Sequence, residues 1–228
     1  MMMKIMVIDV GGTSVKVYAT TQPDRVKIPS GPEMTPEKMV AKVKEATRDW
    51  DYSVISIGYP GPVVEGRIVV DPANLGAGWV GYDFESAFDR PVHLINDAAM
   101  QAVGSYAGDR MLFLSLGTGL GSAWISDGVL LPLELSHLPY RKGRSFEDYL
   151  GVEGMRRRGH RRWQASVSDV VERFLKGFEP DYVVLGGGNA KLLDELPPCC
   201  RLGNNSHAFR GGCRIWDEGF RRLNPRLV

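Results

Sequence analysis

Apolar and polar positions alternate in blocks along the chain. Residues 4–10 form a near-continuous apolar run that stops at Gly11-Gly12-Thr13, and Ser14–Ala19 then alternates apolar with polar. This predicts two strands joined by a glycine turn. A third short strand is expected over Arg25–Ile28. Thr35-Pro36-Glu37-Lys38 reads as a helix start, with Thr35 as N-cap and Pro36 at the first helical position. Lys38 at the third position leaves it without a capping box. Helical spacing through Val40, Val43, Lys44 and Thr47 carries this helix to about Trp50. Tyr52–Gly58 is the next strand, Pro60-Gly61-Pro62 breaks the chain, and Val63–Val70 reads as extended. Pro91–Ile95 predicts a strand ending in Asn96-Asp97, with a helix over Ala98–Ala107 and Asp97 placed for its N-terminus.

Met111–Leu116 is then a buried strand, followed by Gly117-Thr118-Gly119-Leu120-Gly121 and renewed alternation over Ser122–Ser126. This strand, glycine turn and strand repeat the plan of residues 4–19, the nearest thing to an internal repeat. Helices are expected over Ser145–Gly151 and Ser166–Lys176. A strand over Tyr182–Leu185 runs into Gly186-Gly187-Gly188-Asn189 and a short helix, and the last thirty residues are poorly patterned, with Gly211-Gly212 reading as a loop. The repeat suggests two α/β units, 1–107 and 108–228.

Composition narrows the class. With 228 residues, 43% hydrophobic and 24% charged, the chain can bury a real core and is neither disordered nor fibrous. A net charge of +1 argues against a dedicated nucleic-acid binder. No apolar run reaches the ~20 residues of a membrane span. Met1-Met2-Met3-Lys4-Ile5 runs into the strand pattern without a secretory leader. Cys199, Cys200 and Cys213 make a poor disulfide framework and contain no Cys-x-x-Cys, so a reducing, cytoplasmic setting without structural zinc is expected.

Four constellations carry candidate chemistry. Asp9-Val10-Gly11-Gly12-Thr13-Ser14-Val15-Lys16 places a carboxylate at a strand end beside bare backbone N–H groups and a hydroxyl. Such a turn suits anionic oxygens, and Asp9 suits Mg²⁺ directly or through water. A plain hairpin with a surface Asp is the alternative. Gly117-Thr118-Gly119-Leu120-Gly121-Ser122 fits neither a dinucleotide fingerprint nor a Walker loop, because a strand follows it and no Gly-Lys-Ser/Thr ends it. A second phosphate-facing hairpin and an ordinary one both stay open. Asn96-Asp97 lies at a strand-to-helix junction, where open α/β sheets bind ligands. Asp97 suits a general base toward a hydroxyl, or a helix cap. Glu134-Leu135-Ser136-His137, with Glu147 beyond, suits several hydroxyls of one polar ligand or scattered surface polarity.

Together these motifs resemble the ROK family of sugar kinases, within the actin/hexokinase-type ATPase superfamily. Asp9–Lys16 is similar to the family's D-x-G-G-T-x-x-K, and Gly58-Tyr59-Pro60-Gly61-Pro62 to its G-x-P-G-P. Asn74 with Trp79 is similar to N-x(4)-W, and Asn96-Asp97-Ala98 to N-D-A. Leu116–Gly121 is similar to the second phosphate motif, Glu134–His137 to E-L-G-H with Ser136 for Gly, and Leu185–Asn189 to the glycine-rich adenosine-side motif. The resemblance runs from about residue 4 to about 190. Within the family the chain looks most like polyphosphate glucokinases, since Leu138–Glu147 contains no Cys and so lacks the cysteine-rich zinc motif.

The resemblance implies an α/β, two-lobed actin/hexokinase-like (ribonuclease H-like) fold with its active site in the interlobe cleft. It implies sugar contacts from Asn74, Asn96, Asp97, Glu134, His137 and Glu147. It implies donor contacts from Asp9, Gly11, Gly12, Thr13, Lys16, Gly117, Thr118, Gly119, Gly187, Gly188 and Asn189, with Mg²⁺ near Asp9 and no zinc. Asp97 would take the proton from the 6-hydroxyl of glucose as it attacks polyphosphate or ATP. The implied protein binds a small sugar and a polyanionic donor, uses no nucleic acid or membrane, and is a homodimer. Mannose, fructose or an N-acetylhexosamine are alternative acceptors. A non-catalytic actin-like or sugar-sensing protein is the rival reading. A family repressor would carry a helix-turn-helix ahead of the first phosphate strand, which here begins at Lys4. Arg156-Arg157-Arg158-Gly159-His160-Arg161-Arg162 holds five Arg in seven residues. It is a solvated helix surface on the plain reading. On the sharper one it is a polyphosphate track using Arg157, Arg158 and Arg161.

Overall fold

The computed structural model describes residues 3–204 and 206–217. They divide into two compact units, one of residues 3–100 with 208–217, the other Gln101–His207.

The first unit is built on β1 (Ile5–Val10), β2 (Ser14–Ala19), β3 (Val26–Pro29), β4 (Val54–Tyr59) and β7 (Val92–Asn96). Their order across the sheet is β3-β2-β1-β4-β7. β1 pairs antiparallel with β2 and parallel with β4, which pairs parallel with β7. Every residue of β1 is buried, as a central strand covered on both faces requires. α1 (Pro36–Ala46) starts as the sequence predicts, with the Thr35 side chain accepting from the Lys38 N–H. It ends four residues before Trp50, where Thr47 takes over as C-cap. The expected extended stretch Val63–Val70 is instead a small hairpin, β5 (Val63–Val64) and β6 (Arg67–Ile68). Glu65 and Gly66, both at positive φ, reverse the chain there. α2 (Phe84–Phe88) covers the core beside Trp79, Tyr59 and Phe84. α3 (Asp97–Ser105) leaves the end of β7 and runs across the division between the units.

The second unit repeats the plan. β8 (Met111–Leu116), β9 (Leu120–Ser126) and β10 (Val129–Leu133) form consecutive antiparallel pairs. A short ribbon, β11 (Pro139–Arg141) and β12 (Arg144–Ser145), leads to α4 (Glu147–Leu150), α5 (Val152–Arg158) and α6 (His160–Phe178). β13 (Tyr182–Gly186) and β14 (Cys200–Leu202) complete a sheet ordered β10-β9-β8-β13-β14. Each main sheet is thus three strands in consecutive antiparallel pairs, then two added in parallel. The echo visible in sequence at two glycine turns extends to a whole five-stranded sheet.

α6 begins six residues before the predicted Ser166. Trp163, Val167, Val170, Val171 and Phe174 line one side of it and are buried in the second core, with Trp163 Nε1 donating to the Leu150 carbonyl at 2.8 Å. The arginines at its start mask that apolar spacing in the sequence.

The boundary expected after residue 107 lies inside the second unit, and residues 208–217 pack with the first. That segment is α7 (Ser206–Arg214), so Gly211-Gly212, expected as a loop, is helical. Residues 218–228, within the poorly patterned last thirty, lie outside the described residues. Ser56 Oγ on β4 donates to the Gly212 carbonyl at 2.6 Å and accepts from Trp216 Nε1 at 2.8 Å. The Trp216 ring stacks on His93 of β7 at 3.9 Å between centroids. A Cβ on Gly212 would lie 2.4 Å from Val7 Cγ1, so only glycine lets the helix approach β1 this closely.

The same substitution should therefore have opposite signs at two helical glycines. Gly177 in α6 has open space where a Cβ would go, and Gly177→Ala should stabilise by up to ~1 kcal/mol through helix propensity. Gly212→Ala gains the same propensity but overpacks Val7, which costs ~1–3 kcal/mol, so it should destabilise. Thermal melts of both variants against wild type check this, and a stabilised Gly212→Ala would contradict it.

Candidate active site

In the first unit the candidate residues collect at the ends of β1, β4 and β7. Asp9 and Lys16 are cross-strand partners, and Lys16 Nζ donates to Asp9 Oδ2 at 2.8 Å. Asp9 is only 6% exposed. Burial works against the Lys16 charge, but the Asp9 carboxylate outweighs it and holds the Lys16 pKa above its usual value. The turn between them is pinned by its own backbone, with the Gly11 N–H donating to the Ser14 carbonyl at 3.1 Å. Ser30 fastens it from β3's end, its N–H donating to the Thr13 carbonyl at 3.2 Å and its hydroxyl to the Gly11 carbonyl. Nothing in the sequence pattern singles out Ser30. A Cβ on Gly12 would sit 3.1 Å from Asn74 Cβ, so the bare backbone of the turn lies directly against exposed Asn74. Trp79, five residues on, is fully buried beside Tyr59 and Phe84, where it serves the core.

Gly58 is the strand partner of Asp9 on β4, and a Cβ there would lie 3.5 Å from the Asp97 Cα and 2.3 Å from Met100 Cε. The missing side chain lets α3 start hard against the sheet, which brings Asp97 beside Asp9. Asn96, expected as a sugar contact, has its amide engaged locally. Its Oδ1 accepts from the Ala99 N–H at 3.0 Å and its Nδ2 donates to the Gly61 carbonyl at 3.0 Å. Asn96 therefore caps α3. Asp97 is the first helical residue, with Oδ1 accepting from the Ala98 N–H at 2.7 Å. Burial, then the negative charge of Asp9, raise the Asp97 pKa to about 7, against the opposing pull of the Ala98 N–H and Lys16. A carboxyl that titrates at neutral pH is poised to exchange a proton with a hydroxyl.

In the second unit three of the sequence motifs converge on one turn. Within it, the Gly117 N–H donates to the Gly119 carbonyl at 3.1 Å. The Asn189 N–H donates to the Leu116 carbonyl at 2.9 Å and its Nδ2 to the Gly117 carbonyl at 3.0 Å. Gly187 has φ +81, and a Cβ there would lie 2.4 Å from the Leu116 carbonyl oxygen; exposed Gly188 follows it. The Val152 N–H donates to the carbonyls of Gly117 and Thr118, each at 3.2 Å. Glu147, expected on the sugar, accepts the Leu120 N–H at 3.1 Å through Oε2, the same atom lying 2.2 Å from where a Gly119 Cβ would be. Glu147 is thus placed at the glycine turn, which the sequence did not indicate.

Glu134 and His137 flank a tight turn and are both well exposed, His137 Nε2 lying 4.0 Å from Glu134 Oε2. Ser122 fixes this turn to β9, donating to the Leu133 carbonyl at 2.8 Å and accepting from the Leu135 N–H at 3.2 Å. Ser136, in place of the family's Gly, is buried.

Among the described residues no three or more His, Cys, Asp or Glu gather to hold a metal. Mg²⁺ is commonly held by one or two carboxylates plus substrate phosphates and water, so the single carboxylate of Asp9 beside the glycine turn is the group that could take part in holding it. No helix among the described residues is long and apolar enough to cross a membrane.

The ROK family pattern matches residues 5–132. The chain belongs to the ROK family. A polyphosphate glucokinase of Mycobacterium leprae is 27% identical over 213 residues, covering 84% of this chain and 65% of its own length. This chain thus spans slightly less than two thirds of that relative. A glucokinase of Pyrobaculum calidifontis is 31% identical over 140 residues, 57% of this chain and 46% of its own. The crystal structure of an inorganic polyphosphate/ATP-glucomannokinase from Arthrobacter sp. strain KM matches with TM-score 0.78 at 25% identity, covering 93% of this chain and 98% of that one. The fold of this ROK chain is accordingly the actin/hexokinase-like one.

The raised Asp97 pKa has a consequence for stability. In the unfolded chain the carboxyl returns to about 3.9. Between pH ~4 and ~7 the folded state binds more protons, so its stability falls as pH rises through that window and levels off above it. Asp97→Asn removes this penalty. Its melting temperature relative to wild type should climb from pH 4 to 7 and then stay flat, and a pH-independent difference would refute the shifted carboxyl.

Proposed function

We propose that this chain is a sugar kinase that transfers a phosphoryl group from polyphosphate or ATP to the 6-hydroxyl of glucose. The single observation that carries the reading is the neutral-range carboxyl of Asp97 beside the Asp9 turn. The names of the ROK relatives support the same class of reaction. Mannose is the second acceptor to test, since the Arthrobacter relative is named a glucomannokinase.

In this reading the sugar oxygen attacks the terminal phosphorus, the bond from that phosphorus to the bridging oxygen breaks, and the rest of the donor leaves with that oxygen. The hydroxyl proton passes to Asp97. Lys16 stays protonated and, with Asp9, holds the turn whose backbone N–H groups meet phosphate oxygens. Mg²⁺ on Asp9 would offset the charge of the donor oxygens. The Gly117–Gly119 turn and Asn189 bind the donor. Positioning and charge stabilisation supply most of the acceleration in phosphoryl transfer.

The test is a phosphorylation assay crossing glucose, mannose, fructose and an N-acetylhexosamine with ATP and polyphosphate. Glucose is expected as acceptor, with kcat falling as pH drops through about 7 because Asp97 acts only when deprotonated. Asp97→Asn should lower kcat about 10²–10⁴-fold while sugar binding, read by calorimetry, survives. Wild-type turnover in that variant, or no phosphorylation of any sugar, would overturn the proposal.

A further inference from the structure

The densest charge run in the chain has no role in the site described above. Arg156–Arg162 spans the corner where α5 ends at Gly159, φ +78, and α6 begins. Three of its arginines are held locally. Arg156 pairs with Glu153 at 2.6 Å, both side chains mostly exposed, a contact of little energetic weight. Arg157 donates to the Asp148 carbonyl at 2.5 Å. Arg158 lies 4.5 Å over the Tyr149 ring and donates to Ser166 Oγ. The side chains of Arg161 and Arg162 are exposed and have no ion pair or hydrogen bond among the described residues. Glu153, Asp194, which lies 3.9 Å from His160 Nδ1, and Asp148, whose carboxylate feels the Arg157 charge, are the acidic groups at this corner, and five arginines outnumber them.

Both flanks of this corner are tied to the second glycine turn. α5 starts at Val152, whose N–H is bonded to the Gly117 and Thr118 carbonyls. Seven helical residues then span ~10 Å to the corner. On the other side, His160 Nε2 lies 2.6 Å from the Leu192 carbonyl and Gln164 Oε1 accepts the Asp194 N–H at 3.0 Å. That segment leaves Asn189, itself bonded to the carbonyls of Leu116 and Gly117. The corner is thus a fixed outpost about one α5 length from the turn.

We propose that the α5–α6 corner, with Arg161 and Arg162 as its free charges, binds the distal phosphates of a linear polyphosphate chain that the Gly117–Gly119 turn holds nearer its reacting end. The proposal rests on the reading of that turn as a donor site. Distance makes the corner selective. At physiological salt, charges ~8 Å apart are already largely screened, so a phosphate at the turn scarcely feels the corner. A nucleoside triphosphate has only three phosphates and then an uncharged nucleoside. A long phosphate chain reaches the corner physically and releases counterions there.

The test uses the full chain and the double variant Arg161→Gln/Arg162→Gln. Direct binding of long-chain linear polyphosphate and of tripolyphosphate is titrated at several salt concentrations, and KM is measured for long-chain polyphosphate, ATP and glucose. The variant should bind long-chain polyphosphate about tenfold more weakly, with its log–log salt slope reduced by about 1.4 for two lost contacts. KM for the long chain should rise in step, while tripolyphosphate binding and KM for ATP and glucose stay unchanged. Equal long-chain affinity and slope in variant and wild type would overturn the proposal, as would equal weakening of tripolyphosphate and long chain. Salt-dependent long-chain binding that the variant loses, in a wild type that phosphorylates no sugar, would uphold the corner and sink the kinase reading instead.

Discussion

Two carboxylates held close together, with a single ammonium bonded to one of them, govern the first unit. Asp9 is buried at the end of β1 and bonded to Lys16. Asp97 starts α3 beside it, and burial together with the Asp9 charge keeps its proton to about pH 7. A single Lys16, bonded to Asp9, does not offset the burial of Asp97 or the Asp9 charge beside it, so the Asp97 carboxyl holds its proton more tightly. That arrangement costs stability at neutral pH and gives a group able to accept a hydroxyl proton. The surrounding packing makes the closeness possible. Gly58 has no side chain to separate β4 from α3, and Asn96 takes over the helix cap so that Asp97 does not have to.

The second unit uses the same sheet plan around backbone rather than side-chain charge. Its glycine turn is gripped through the carbonyls of Leu116, Gly117 and Thr118 by Asn189 and Val152. Carbonyls that face inward to these partners leave N–H groups to be satisfied. One of them, on Leu120, is bonded to Glu147. α5 and the segment after Asn189 radiate from this turn, so the arginine corner keeps a fixed distance from it. Binding an extended polyanion in this way needs no deep pocket. It needs an anchor and a displaced patch of like charge, and screening makes the spacing between them decide which donors profit.

The sequence by itself determined the strand, glycine turn and strand units at 4–19 and 111–126, the Thr35 cap and the residues that resemble ROK motifs. These are local signals, in which apolar period, turn residues and spacing are complete within a short window. The Asp9 glycine turn, the Asn96-Asp97 junction and the glycine runs at 117–121 and 186–188 were legible for that reason. The tertiary structure decided what depends on distant neighbours. Gly211-Gly212 reads as a loop, yet Val7 and Ser56, far away in sequence, make glycine the residue a helix needs there. Trp79 lies in a sugar-side motif, yet its surroundings of Tyr59 and Phe84 make it core. Glu147 carries a carboxylate suited to many partners, and only the fold sets it on the Leu120 N–H. The proton affinity of Asp97 is the clearest case, because burial and the charge of a residue 88 positions earlier set it, and neither is a property of the local sequence.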